Sequence, residues 1–93
     1  MKTEQSYFVE HTDTFGGEAN YCWVNRFKVS APSARAALTK VKKELWHRCP
    51  RAKVSDYGDQ LRADIIGSPE CLFVSEWDYF HDENPYTNIK YIA

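Results

Sequence analysis

Six Cys and His side chains in this sequence have the chemistry of zinc ligands or of groups that titrate near neutral pH: His11, Cys22, His47, Cys49, Cys71 and His81. A structural zinc site takes four ligands. Only His47-Arg48-Cys49 sets two of them close together, so the spacing argues for no metal and no cofactor. The thiols are odd in number with no CxxC pair, which speaks against a disulfide framework and for free cysteines acting as small apolar groups. Nucleophilic catalysis needs a thiol or hydroxyl held against a histidine, and no nucleophile stands in a recognisable elbow. Gly16-Gly17 would let a phosphate approach the backbone, but neither a GxGxxG nor a Walker pattern surrounds the pair. Carboxylates are scattered over turns, with no spacing that sets a general acid apart from a base. These residue types point away from an enzyme.

Charge is distributed with more purpose. Residues 35–53 carry Arg35, Lys40, Lys42, Lys43, Arg48, Arg51 and Lys53 against Glu44 alone, a net +6. Residues 54–93 carry eight carboxylates against Arg62 and Lys90, a net −6. The basic stretch could attract phosphates by counterion release, which makes a nucleic-acid interface one expectation. It is also what the solvated face of any soluble amphipathic helix shows. The acidic stretch is interleaved with aromatic rings: Glu76, Trp77, Asp78, Tyr79, Asp82, Glu83 and Tyr86 fall within a short span. Tryptophan and tyrosine are good interface anchors, and carboxylates around them select a basic partner. An ordinary half-buried strand running into a turn would show the same alternation.

The elements that must position these groups follow from periodicity. Residues 6–11 alternate, with Tyr7 and Val9 on one face and Phe8 and Glu10 on the other, which predicts a strand. Tyr21, Trp23, Phe27 and Val29 recur at period two and predict a second strand, hairpinned to the first across the Gly16-Gly17 loop. Ser33 then caps a helix whose apolar stripe is Ala34, Ala37, Leu38, Val41 and Leu45, and Pro50 closes the segment. The expected packing sets Ala37, Leu38, Val41 and Leu45 against Tyr21, Trp23 and Phe27. Residues 53–57, 60–66 and 71–79 read as three more strands broken at Gly58-Asp59 and Gly67-Ser68-Pro69. The order ββαβββ has too few helices for parallel crossovers, so the expected fold is α+β, an antiparallel meander with one amphipathic helix on one face. At 93 residues the chain is one domain, with residues 80–93 a less regular tail in which residues 88–92 could add a short edge strand.

The segment Thr12-Asp13-Thr14-Phe15-Gly16-Gly17-Glu18-Ala19-Asn20-Tyr21-Cys22-Trp23-Val24 resembles a pattern found in small uncharacterised proteins of bacteriophages and other mobile elements. There a strand leads into an aromatic-Gly-Gly-Glu-x-Asn-Tyr-x-Trp turn. The resemblance spans the first quarter to third of the chain and implies origin more than activity. It implies a small non-enzymatic accessory protein that binds and modulates a host protein, anti-CRISPR proteins being one such group. Physically, Glu18 and Asn20 could close the turn by hydrogen bonds to the backbone. No apolar run approaches the roughly 18 residues of a membrane span, so a cytoplasmic monomer or homodimer is expected, in the host cytoplasm if the chain is phage-encoded.

Overall fold

The structure is a computed structural model. It describes residues 4–13, 22–78 and 89–93, with the side chains of all of these except 13 and 22–24. Alternation in β1 (Gln5–Asp13) turns Tyr7 and Val9 into the core, where they stand opposite Val29 and Phe27 of the antiparallel β2 (Cys22–Ala31). The chain then turns into α1 (Ala34–Trp46). The Ser33 hydroxyl accepts the Ala36 N–H at 3.1 Å, a cap worth about 1 kcal/mol. At the other end His47 adopts the left-handed conformation, and its N–H donates to the Lys43 carbonyl at 2.8 Å. That closes the helix before Pro50 as expected.

Next come β3 (Ala52–Asp56), β4 (Gln60–Ile65), β5 (Glu70–Glu76) and β6 (Ile89–Ile92), in a sheet of order β3-β4-β5-β1-β2-β6. The α+β class and the single helix on one face agree with expectation. The antiparallel meander holds only from β3 to β5. There β5 pairs with β1, which places Leu72 and Val74 beside His11 and Val9 under the helix. The edge strand expected in the tail is β6, and it runs parallel to β2, so the sheet is mixed. Residues 77–88 connect β5 to β6, and about a dozen residues are what a parallel connection requires.

Helix residues Ala37, Leu38 and Val41 seal this face over Phe27, Val29 and Leu72, with Leu45 at the margin. The expected contact with Phe27 is therefore present. Tyr21 and the side chain of Trp23 lie outside the described residues. A register shift separates the pairs His11↔Asn25 and Thr12↔Trp23, so the period-two pattern read through residues 21–29 is interrupted at the backbone.

On the face away from the helix, charges lace the strands. Arg26 pairs with Glu10 directly across β1 and β2 at 3.2 Å, and Arg62 reaches Asp64 at 3.1 Å. Phe8, Thr12 and Cys71 are nevertheless buried there.

Candidate docking surface at the Ser33 end

Strand register sorts the loops into two ends. At the Ser33 end lie Glu4 and Gln5, the start of α1, the β3–β4 turn and residues 76–78. At the Trp46 end lie the close of α1, the segment from His47 to Arg51, the β4–β5 turn and the His11–Glu70 pair. The +6 and −6 stretches of sequence are partly resolved into these ends. Arg48 and Arg51 are exposed at the Trp46 end, while Asp56, Asp59, Glu76 and Asp78 are exposed at the other.

The β3–β4 turn is built by local chemistry. Tyr57 N–H donates to the Gln60 carbonyl at 2.9 Å, and Gly58 takes a φ of 91°, as a two-residue turn with glycine in its first position demands. Asp56 Oδ1 accepts the Gly58 N–H at 2.8 Å. The turn thus holds Asp56 and Asp59 beside the helix start. Between them opens a cavity of about 360 Å³ with a floor of Tyr7, Leu61 and Val74, walled by Ser33, Ala34 and Arg35 on one side and by Asp56, Asp59 and Glu76 on the other. The first turn of α1 has no acidic residue of its own. Carboxylates across the cleft supply the negative charge that a helix N-terminus favours.

A second, shallower cavity of about 510 Å³ is lined by Gln5, Ser6, Lys28, Glu76, Trp77 and Asp78. Glu76 therefore borders both. Trp77 is half-buried, its ring edge-on to Phe8 at 5.7 Å and beneath the Lys28 ammonium at 4.6 Å. Its backbone N–H donates to the Ser6 carbonyl at 2.9 Å, which extends the β5–β1 pairing past Glu76. Of the residues expected to bind a partner, Glu76, Trp77 and Asp78 come together here. Tyr79, Asp82, Glu83 and Tyr86 lie outside the described residues. Ion pairs among the described residues join Arg26 to Glu10 and Arg62 to Asp64, His11 is hydrogen-bonded to Glu70, and Asp56, Asp59 and Glu76 enter none of these contacts.

The residues considered for nucleic acid are spread along α1 and into β3. Arg35 walls the acidic cleft. Lys40 is committed to the fold, its ammonium donating to the Ser30 carbonyl at 2.6 Å. Lys42 is half-buried on α1, Lys43 is exposed in its last turn, Arg48 and Arg51 follow it, and Lys53 stands on β3 opposite Asp64.

The His11 cluster at the Trp46 end is enclosed. Asn25 Nδ2 donates to His11 Nδ1 at 3.0 Å, so the ring carries its proton on Nε2 and donates it to Glu70 Oε1 at 2.6 Å. Ser68 Oγ donates to Glu70 Oε2 at 3.0 Å, and the Trp46 ring meets the imidazole edge-on at 5.6 Å. A histidine buried with both nitrogens partnered fastens β1, β2 and β5 beneath the helix end. Its partners are 14 and 59 residues away in sequence, so no local spacing could have revealed the cluster. Cys71, fully buried across from Thr12, has its thiol pushed above the ordinary value by burial, with Asp64 adding to the rise and Arg62 opposing it. Cys49 is exposed. Among the described residues no three His, Cys, Asp or Glu side chains converge to hold a metal, and no helix is long and apolar enough to cross a membrane. Sequence reading put Asp56 in a strand and Asp59 in the turn and took neither for a site residue; the signal present was a pair of carboxylates flanking a glycine turn.

Comparisons with protein-family models, with curated proteins and with solved structures find no match to this chain.

Proposed function

We propose that this protein is a non-enzymatic binding protein whose Ser33 end, through Glu76, Trp77 and Asp78, docks a basic surface of another protein. The observation that carries the reading is the position of Glu76, exposed, outside every ion pair of the described residues, and shared by two adjoining cavities. An aromatic ring beside exposed carboxylates offers an anchor for affinity and a field that raises the association rate. A non-catalytic role is supported by the enclosure of His11 and by the raised thiol of Cys71, since a thiol and not a thiolate is a poor nucleophile. The resemblance at residues 12–24 makes a host protein in the cytoplasm the proposed partner, with an anti-defence role as one form.

Affinity capture from the native host, with and without nuclease, tests this. Capture of the same proteins in both arms is expected, and Glu76→Lys should slow association several-fold while leaving the unfolding midpoint unchanged, with Glu76→Gln between the two. Capture lost on nuclease treatment would shift the reading to nucleic acid through Lys43, Arg48 and Arg51. Unchanged kinetics for Glu76→Lys would place the docking surface elsewhere.

A further inference from the structure

We infer that the two ends of this molecule are complementary to each other, so that the Trp46 end of one copy docks into the acidic cleft of the next and the protein self-associates head to tail. The inference rests on the same reading of the Ser33 end as a docking surface, with a second copy as its occupant.

Charge alone would not carry it, because exposed ion pairs are individually weak and screened by salt. Apolar anchors decide, and their placement is specific. The large apolar side chains exposed among the described residues are Tyr57 at 62%, Ile66 at 63% and Tyr91 at 73%. Tyr57 sits in the acidic turn between Asp56 and Asp59. Ile66 sits in the β4–β5 turn, where the Ser68 N–H donates to the Ile65 carbonyl at 3.2 Å and Gly67 takes a φ of 83°, which turns Ile66 outward. Its backbone N–H donates to the Arg51 carbonyl at 3.0 Å, so Ile66 is tied to the basic segment that also carries the exposed Arg48. Each end thus sets one exposed apolar side chain beside charge mainly of one sign, Arg35 and Lys28 being the exceptions at the acidic end and Glu70 at the basic end.

The two anchors bracket β4, whose six residues span about 20 Å, and cannot meet within one molecule. Between molecules the fit is chemical: an arginine stem can lie on the Tyr7, Leu61 and Val74 floor of the cleft with its guanidinium among Asp56, Asp59 and Glu76. Because the contact joins two different surfaces, it propagates instead of closing on itself as a twofold dimer would. Self-association would occupy the end proposed for the partner, so the two compete.

Sedimentation velocity over a concentration series at low and high ionic strength tests the inference. Mass should rise with concentration at low salt, and high salt should weaken the association by roughly tenfold. An acid-end variant, Tyr57→Ser with Asp59→Lys, and a basic-end variant, Arg48→Glu with Arg51→Glu, should each be monomeric alone. Mixed in equal amounts they should form one-to-one dimers and nothing larger, because only one compatible pair of ends remains. Recovery of that dimer also shows that both variants are folded, and Arg48→Gln with Arg51→Gln replaces the reversal if its unfolding midpoint falls. A wild type that stays monomeric at low salt, or two folded variants that fail to pair, overturns self-association. Partner capture sensitive to Glu76→Lys in a monomeric protein leaves the docking reading standing, whereas self-association with capture indifferent to Glu76→Lys removes that reading alone.

Discussion

The two ends of the molecule treat polar groups in opposite ways. At the Trp46 end, His11 is buried with both ring nitrogens partnered, and Glu70 accepts from His11 and from Ser68. At the Ser33 end, Asp59 and Glu76 face an open cleft and enter no ion pair of the described residues. A satisfied buried network contributes to specifying one packing, while unpaired exposed carboxylates contribute little to stability and remain available to a partner. The same residue types, acid beside ring, are thus structural at one end and available for binding at the other. What separates them is enclosure.

That contrast can be broken by mutation, and the largest effect should fall on the element both ends share. Leu38 is buried under the sheet face that α1 covers, and Leu38→Ala should cost on the order of 2–5 kcal/mol in urea unfolding. A negligible change would mean that the helix is not docked as described. His11→Ala should follow at about 3 kcal/mol, since it leaves the Asn25 and Glu70 groups without their partner and removes the ring against Trp46. A loss comparable to that of an exposed residue would show the network to be dispensable.

Thr12 offers the reverse case close by. Its hydroxyl is buried without a hydrogen-bond partner among the described residues, so Thr12→Val should raise stability by about 1 kcal/mol. Destabilisation would reveal a partner for that oxygen.

Cys71 gives a pH-dependent test. Its folded-state pKa lies above the ordinary thiol value of 9.0, so the thiol's contribution is fully present below that pH. It is lost as pH rises toward the folded value, because the unfolded chain ionises first. Cys71→Ala should flatten the alkaline fall in stability, and an unaltered slope would show that other groups set it. Smallest of all, Asp59→Asn should change stability by less than about 0.5 kcal/mol while weakening any association that uses the cleft.

The order of elements could be read from the chain alone because it is written at short range. Ser33 before an apolar stripe of helical period, the alternation of Tyr7 and Val9 with Phe8 and Glu10, and Gly58 and Gly67 at the sheet turns each act within a few residues. Glu76, Trp77 and Asp78 were legible as a binding candidate for the same reason, being neighbours in sequence. Only the tertiary structure decided that β6 joins β2 in parallel, that β5 lies against β1, and that Asp56, Asp59 and Glu76 wall one cleft with the helix start. It also decided that Lys40 is tied to the Ser30 carbonyl while Arg35 stands at the acidic end. The physical reason is separation along the chain: periodicity determines which way a side chain faces within its own element, but pairing between distant strands determines what stands opposite it, and for His11 that partner is 59 residues away.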